Sequence, residues 1–458
     1  MIENDAFKLL LINLFHLNPD DIANILCTTF NKMMVLVVTL TDKHQACPYC
    51  GFTAPKIKEY VTKEITHSAL TTQKCIIKYR ARRYKCPCCG KTYYEFNPFV
   101  FKSQKISILT VHNILKDLKD FNETFTSVAR RYHVSPTSVS TIFDNHVDIG
   151  RNPLPEIINF DEVYAFKSEK SKYVCVLLDF KKQIPVDVLP NRKKEYLLNY
   201  FQKIPLEERK KVKYACSDMY EVYRDVVHKV FPEAKHLLDY FHLSQDFHKK
   251  MNEVRIKVMK GYKDDKASDE YYLLKKFNWL LFKNPEDEDK YGRLFDVERE
   301  RKYNSHFKSY MNYYDLRKKI LEINNDLTIC YSLKLELVDF YSKSTIDNAQ
   351  VNLEHLIRSF IDTNIEEMIK FSNNLINWKQ EIINSFTIVG TEYKVEADKG
   401  QVVVCNKKVN NAIIENRNKI IKCIKNNANG YTNWPRFRNR VMYVLDPNAT
   451  FSLEPREK

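Results

Sequence analysis

Three acidic residues, widely separated along the chain, have the side-chain type and the positions that a divalent-metal site requires. Asp161 follows an apolar run at 157–160, and Asp218 follows another at 212–217. Both runs are predicted to be strands. Such carboxylates could share hard cations, which activate water or a terminal 3′-hydroxyl and stabilise the leaving oxygen of an in-line displacement.

Glu415 is the candidate third acid. Two carboxylates usually do not suffice for a two-metal site, and a predicted helix over 409–425 carries this one. On that helix Glu415, Lys419 and Lys422 share a face that also contains Asn411, largely opposite a row of isoleucines. Glu415 would point at the metal, and Lys419 and Lys422 could bind DNA.

Each acid also has an ordinary structural interpretation. An Asp after a strand is a common turn or cap residue, and a Glu on a helix is commonly just solvated. Glu162 competes with Asp161 for the first position. Neighbours in a strand point to opposite faces, so only one of these two side chains can face the metal.

The order of the predicted elements around these acids indicates the sheet that would position them. Three strands are followed by a helix, a strand, a helix and a last strand, which is the order of the ribonuclease-H-like fold. In that order the ends of the first and fourth strands, which precede Asp161 and Asp218, are adjacent in space. The predicted ranges are 157–160, 173–178, 184–189, 193–202, 212–217, 220–230 and 235–238. A long helical stretch then runs from 243 to about 388, and 390–406 is predicted to be a hairpin with its turn at 397–400.

A second candidate metal site is formed by cysteines. Cys47 and Cys50 form one Cys-x-x-Cys pair, and Cys86 and Cys89 form another; a glycine follows each pair. Four thiolates at this spacing are typical of a tetrahedral structural zinc site in a zinc ribbon. A redox pair or coincidental cysteines are the alternatives. Cys88 is the surplus thiol and is expected to be a neighbour of the site and not a ligand.

Two segments have features of DNA-binding surfaces. Between the cysteine pairs the polar and apolar residues alternate as in a strand, and this segment carries Lys78, Arg80, Arg82 and Arg83. These cations would suit contact with a DNA backbone, or they form only a solvated basic face.

Residues 125–140 have the pattern of a helix-turn-helix, with Ser135 as the cap and Pro136 at the first position of the second helix. That helix would carry Thr137, Ser138 and Thr141 towards base edges. An ordinary helical hairpin is the alternative.

Composition narrows the class of protein. The 458 residues include 73 Lys and Arg against 58 acids, a formal charge of +15 that favours polyanionic partners. The chain has only 8 glycines and no loop of the kind that cradles nucleotide phosphates, so no use of ATP is expected. No apolar run approaches a membrane span, and no signal-peptide pattern is present. The 12 cysteines are therefore expected to be metal ligands and buried thiols in a cytoplasmic protein.

Taken together, these motifs resemble the ISL-three family of insertion-sequence transposases of the DDE class. The resemblance covers most of the chain, including the cysteine pairs and the candidate helix-turn-helix. Its motifs include Phe160-Asp161-Glu162, Ser217-Asp218-Met219-Tyr220, Leu238-Asp239-Tyr240-Phe241-His242-Leu243 and Glu415 followed by Gly430-Tyr431 and Phe437-Arg438-Asn439-Arg440, and the ordered set is more specific than any one of them. One departure is Asn416, where many relatives have Gly after the last acid, which implies slightly different backbone packing there.

The resemblance implies that Asp161, Asp218 and Glu415 form the DDE triad and bind Mg²⁺ or Mn²⁺. Asp239 and His242 resemble an Asp-x-x-His pair, for which we expect a positioning or strand-handling role and not primary metal binding; a strand-ending Asp and a packed His are the alternative. The expected partners are the terminal inverted repeats of the element and a target duplex, bound by a homodimer or larger assembly. The alternative is a non-enzymatic, sequence-specific DNA-binding regulator derived from a transposase.

The expected fold class is multidomain α+β, comprising a zinc ribbon, a helix-turn-helix and a ribonuclease-H-like α/β core interrupted by an all-α insertion. The expected boundaries are 1–45 for an N-terminal segment without assigned function, 46–100 for the ribbon, 104–150 for the helix-turn-helix, 155–242 and 406–458 for the two parts of the core, and 243–405 for the insertion.

Overall fold

The structure is a computed structural model that describes residues 2–43, 46–70, 72–101, 104–166, 171–395 and 402–456. Strands and helices are numbered in chain order below. None of the helices in this described part of the chain is both long enough and apolar enough to span a bilayer.

The N-terminal part of the chain is a five-stranded sheet covered by one helix. Its elements are α1 (Ile2–Leu14), β1 (Ile22–Phe30), β2 (Met33–Leu40), β3 (Lys56–Thr66), β4 (Cys75–Lys85) and β5 (Thr92–Tyr94). The strand order is β1-β2-β4-β3, and β5 also pairs with β4. The apolar run at 33–40 is β2, which lies parallel to β4 of the cysteine-bearing segment. The predicted boundary between residues 45 and 46 therefore divides one continuous sheet.

Three helices follow, α2 (Ile108–Asp117), α3 (Phe125–Arg131) and α4 (Pro136–His146). Val111, Val128, Val139 and Phe143 form their small apolar core. Tyr443 from the C-terminal helix also lies in this core, so the three helices pack against the end of the chain.

The central sheet contains the predicted strands in the predicted order. Its strands are β6 (Ile157–Val163), β7 (Val174–Asp179), β8 (Pro185–Leu189), β9 (Tyr214–Ser217) and β10 (Lys235–Leu238), joined after β8 by α5 (Lys194–Gln202) and the short α6 (Leu206–Arg209), and after β9 by α7 (Glu221–Val230). The sheet order is β10-β9-β6-β7-β8. β10, β9 and β6 are mutually parallel, whereas β7 is antiparallel to both of its neighbours.

A mainly helical segment interrupts this sheet domain. It comprises α8 (Tyr240–Lys260), α9 (Asp269–Lys276), α10 (Tyr313–Glu322), α11 (Asn325–Lys343), α12 (Ala349–Ile361), α13 (Glu366–Asn377) and α14 (Lys379–Asn384). It is not purely helical, because two short hairpins lie between α9 and α10: β11 (Glu288–Asp289) with β12 (Gly292–Arg293), and β13 (Lys302–Asn304) with β14 (Ser309–Met311). The predicted hairpin at 390–406 is β15 (Ile388–Val395) with β16 (Val402–Lys408). Its predicted turn at 397–400 lies outside the described residues.

Helices cover both faces of the central sheet. α5 and α7 cover one face through Leu197, Phe201 and Val227. The last two helices, α15 (Ala412–Asn427) and α16 (Trp434–Leu445), cover the other face through residues such as Ile421 and Val441. Because both faces are covered, the strands are buried along almost their whole length.

Candidate active site

Three carboxylates lie at one edge of the central sheet because three neighbouring parallel strands end there. Asp161 lies near the end of β6, and Asp218 and Asp239 directly follow β9 and β10. β9 is the middle strand of the three, so Asp218 lies between the other two acids in the strand order. Asp161 and Asp218 are therefore on adjacent strands, and Asp239 extends the row by one strand.

Asp161 and Glu162 point to opposite faces of β6. On the face of α7, the Tyr223 hydroxyl donates to Glu162 Oε2 at 3.1 Å, and the Arg192 guanidinium also contacts the Glu162 carboxylate. On the face of α15, the Asn418 amide donates to Asp161 Oδ2 at 2.7 Å. Asp161 is thus the acid that faces α15, the helix that carries Glu415. Glu162 is held by partners on the opposite face of β6.

The turn of α15 that carries Glu415 is anchored by Asn411, which is fully buried at the helix N-cap. The Asn411 side chain accepts a hydrogen bond from the Asn159 amide at 2.7 Å and donates to the Phe160 carbonyl at 3.3 Å. Ile414 packs into the apolar layer beneath the helix. Asn411 thus serves as a buried clamp between α15 and β6, in place of the helix-face position predicted from the sequence.

Glu415 is half-buried and lies beside the predicted accessory pair. Ligand atoms of Asp239, His242 and Glu415 all lie within 4.8 Å of one another. The Nε2 atom of His242 is 3.8 Å from Asp239 Oδ2. These two atoms and Asp218 Oδ1 are buried and have no hydrogen-bond partner among the residues that the structure describes. Buried carboxylate and imidazole atoms without partners are costly unless a proton or a cation satisfies them, and this donor set fits a divalent ion.

The pKa values of the acids reflect the same crowding. Burial, followed by the negative charges of Asp218 and Glu415, raises the pKa of Asp161 to about 7. Burial also raises the pKa of Asp218 and of Asp239, while His242 opposes the shift in both. A cluster of carboxyls that resists ionisation in the absence of cations is the electrostatic counterpart of a metal site.

The cluster can be reached from two sides. One shallow depression is lined by Asp218, His242 and Lys249. Another is lined by Asp239, Phe241, Lys408 and Glu415. Asp218, Asp239 and Glu415 therefore line surface openings, whereas Asp161 lines neither depression.

Asn418 and Asn159 were not among the residues predicted for the site. Asn418 lies one helical turn after Glu415 and is almost fully buried. The signal available in the sequence was its i, i+3 spacing from Glu415, which places both side chains on one helix face.

The four predicted zinc ligands come together. Sγ atoms of Cys47 and Cys89 are 3.7 Å apart, and those of Cys50 and Cys86 are 3.5 Å apart. Zinc–sulfur bonds of 2.3 Å in a tetrahedron would place sulfurs about 3.8 Å apart, so the set fits zinc. Burial tends to raise the pKa of Cys86, but backbone N–H groups of residues 89 and 88 and neighbouring thiols lower it to about 7.

The two cysteine turns have equivalent backbones. Gly51 and Gly90 adopt φ of +73° and +71°, and each donates its N–H to the carbonyl of the first cysteine of its pair. A left-handed conformation of this kind explains the glycine after each pair. Cys88 is exposed and is not part of the four-cysteine cluster.

The helices α3 and α4 have the local structure expected from their sequence. The Ser135 hydroxyl accepts a hydrogen bond from the Ser138 N–H at 3.0 Å and caps α4, while Val139 is buried. Thr137 and Thr141 are exposed on α4. The Ser138 hydroxyl lies 2.8 Å from that of Ser135 and so takes part in the cap.

The predicted basic stripe on β4 is largely paired within the sheet. Three of its four side chains form ion pairs at 2.7–2.8 Å: Lys78 with Glu64, Arg82 with Glu95, and Arg83 with Glu59. Arg80 is exposed and lies over the Tyr60 ring, 4.8 Å from its centroid. On α15, Lys419 and Lys422 are both exposed. Among the cations predicted to bind DNA, Arg80, Lys419 and Lys422 are thus the ones most available to a polyanion.

Comparison with known proteins assigns the family. A family model described as a transposase, of the ISL-three DDE type, matches residues 158–397, more than half of the chain. The match includes Asp161, Asp218, Asp239 and His242 and ends before Glu415. The chain is also similar to the transposase for insertion sequence element IS1001 of Bordetella parapertussis, with 19% identity over 412 residues that cover 89% of this chain and 91% of that protein. The chain therefore belongs to the ISL-three family of transposases and is a DNA transposase.

Proposed function

We propose that this transposase cleaves and joins DNA strands with Asp161, Asp218 and Glu415 as its catalytic carboxylates, in a ribonuclease-H-like core. The observation that supports the proposal is the row of acids at the ends of three adjacent parallel strands, with Glu415 brought by α15 beside the last of them, Asp239. The raised pKa of Asp161, caused by burial and by Asp218 and Glu415, supports the same arrangement.

Mg²⁺ or Mn²⁺ held there would activate the attacking hydroxyl and stabilise the charge on the leaving oxygen. Residues of the chain itself hold the carboxylates in place and orient them. Asp161 is held by the Asn418 amide, and the buried Asn411 clamp fixes the turn that presents Glu415. Because Asp161 and the turn that presents Glu415 are already held by the protein, these two groups would need little rearrangement to bind an ion.

Asp239 and His242 have a larger part in this proposal than the family resemblance implies. Their partnerless buried atoms converge with Glu415 within 4.8 Å. We therefore assign both to the metal site, as ligands that share an ion with Glu415. A purely strand-handling role would not require their ligand atoms to face the carboxylate of α15.

For DNA binding, we assign α3 and α4 to a helix-turn-helix that places the exposed Thr137 and Thr141 at base edges. Ser138 contributes mainly through the cap of α4. Arg80, Lys419 and Lys422 would contact phosphates, and the four cysteines would hold a structural zinc ion that fixes the sheet.

The DNA partners proposed are the terminal inverted repeats and a target duplex. Because two element ends must be joined to one target, the active assembly is proposed to be at least a dimer on DNA. ATP is not needed, since each phosphodiester formed is nearly isoenergetic with the one broken.

The test is a strand-cleavage and joining assay with labelled element-end DNA, with Mg²⁺ and with chelator. Nicked ends and covalently joined products that depend on Mg²⁺ support the proposal. Binding without metal-dependent cleavage would instead identify a regulator, and cleavage without joining would identify a nuclease.

A further inference from the structure

A second group of metal-ligating side chains lies away from the candidate active site, where the helical insertion meets the central sheet. It consists of His228 on α7, His236 on β10 and Glu381 on α14, with ligand atoms that all lie within 4.8 Å of one another. Neither the motifs nor the family resemblance points to this group.

The hydrogen bonds of His236 leave one ring nitrogen free. Ser217 Oγ donates its single proton to the Asp218 carbonyl at 2.8 Å, so it accepts from His236 Nε2 at 2.9 Å. Neutral His236 is therefore protonated at Nε2, and Nδ1 carries a lone pair. That Nδ1 atom is buried and has no hydrogen-bond partner among the described residues, in a side chain that is only 1% exposed.

A carboxylate faces this lone pair. Glu381 Oε1 is 3.9 Å from His236 Nδ1, too far for a hydrogen bond, and Glu381 is itself only 4% exposed. His228 Nε2 lies at the same 3.9 Å from Glu381 Oε1. Acceptor atoms that face one another in a buried place repel unless a cation lies between them.

The nearby cation of the protein does not take this position. The Arg224 guanidinium stacks over the Trp378 ring, 4.3 Å from its centroid, and donates to the Asn377 carbonyl at 2.8 Å. The His236 lone pair and the Glu381 carboxylate are therefore left to an ion from solution. His228 provides the way in, because its side chain is 55% exposed.

We propose that His228, His236 and Glu381 bind a zinc ion, with water as the fourth ligand. Two imidazoles and one carboxylate are a ligand set that zinc accepts readily, whereas Mg²⁺ prefers oxygen ligands. Tetrahedral bonds of 2.0–2.1 Å would place the ligand atoms about 3.4 Å apart, so each 3.9 Å separation between Glu381 Oε1 and a histidine nitrogen must shorten by about 0.5 Å.

Such an ion would fasten the insertion to the sheet. Glu381 and Asn384 lie on α14, and the Asn384 amide donates to the His236 carbonyl at 2.9 Å, so α14 is already docked on β10. His236 is linked through Ser217 to Asp218 of the candidate active site. The zinc site would thus help to position the end of β9, which precedes Asp218. Its existence does not depend on the proposed catalytic activity.

The test is the zinc content of the purified full-length chain, measured by elemental mass spectrometry without DNA. His228→Ala and Glu381→Gln are each expected to lose one zinc equivalent relative to the unmodified protein. His355→Ala, which removes an exposed histidine from α12, is the matched control and should lose none. Hydrogen exchange of residues 379–384 should also slow when zinc is restored to chelator-treated protein, and this protection should be absent in His228→Ala.

Equal zinc content in all four proteins would overturn the proposal, as would zinc-independent exchange of α14. His228 is on the surface, so His228→Ala is expected to fold. This variant therefore tests the proposal even if Glu381→Gln fails to fold.

Discussion

The Asn418 side-chain amide donates a hydrogen bond to Asp161 Oδ2 at 2.7 Å, and so joins α15 to β6 one helical turn beyond Glu415. This bond orients the Asp161 carboxylate towards the helix that brings in the third acid. It also links two residues that are far apart in sequence. The geometry of the candidate site therefore depends on a residue that need not touch metal or DNA.

We predict that Asn418→Ala lowers the rate of Mg²⁺-dependent strand cleavage about 10- to 100-fold, the usual effect of removing a group that orients a metal ligand. Binding of element-end DNA should be unchanged, because Asn418 is buried. The control is Asn416→Ala, an exposed asparagine of the same helix, which should keep the normal rate. Equal losses of rate in the two variants would refute the positioning role.

Asp239→Asn and His242→Ala are predicted to weaken Mn²⁺ binding by about tenfold or more, because both side chains would share an ion with Glu415. Calorimetric titration of the DNA-free protein measures this directly. Asp246→Asn, which alters an acid of α8 beside His242 in the same depression, is the control and should leave Mn²⁺ affinity unchanged. Unaltered Mn²⁺ affinity in Asp239→Asn and His242→Ala, combined with defective cleavage, would show that these residues handle the DNA strand and do not bind metal.

Metal-free protein is predicted to lose stability as the pH rises from about 4 to about 7. The pKa of Asp161 is near its usual 3.9 in the unfolded chain but is raised to about 7 in the folded chain, so the folded state holds the extra proton over this interval. The loss is on the order of a few kcal/mol. Chemical unfolding in chelator should show a flatter pH profile for Asp161→Asn, and identical profiles for the two proteins would contradict the raised pKa.

The cysteine cluster allows a sharp comparison between two neighbouring types of thiol. Cys50→Ser should lose one zinc equivalent and expose residues 46–100 to proteolysis, since a structural zinc ion supplies folding free energy. Cys88→Ser should retain both zinc and protease resistance, because this exposed thiol lies outside the cluster. Loss of zinc from Cys88→Ser but not from Cys50→Ser would show that the ligand set has been misassigned.

Local sequence patterns were sufficient to predict the central elements, because a buried strand, a capped helix and a cysteine turn each depend on a few adjacent residues. The strand that precedes Asp161 and the cap formed by Ser135 are examples. The choice between Asp161 and Glu162 could not be made in this way. It depends on which face of β6 is covered by α15, a helix from the far end of the chain.

The features that the sequence analysis missed are pairings between distant segments. The alternation of Lys78, Arg80 and Arg82 predicted a basic stripe, but it carried no information about the acids of neighbouring strands that pair with most of it. The parallel pairing of β2 with β4 was likewise hidden from local patterns. His236 and Glu381 have no motif spacing at all, since only the docking of α14 on β10 brings them together.

The most direct test of the three-carboxylate site is Mg²⁺-dependent cleavage of labelled element-end DNA by Asp218→Asn, with DNA binding measured on the same samples. The substitution keeps the shape of the side chain and removes its charge, so cleavage should fall at least a thousandfold, or about 4 kcal/mol of barrier, while binding is retained. Asp246→Asn should cleave normally. Cleavage by Asp218→Asn at the rate of the unmodified protein would contradict the account.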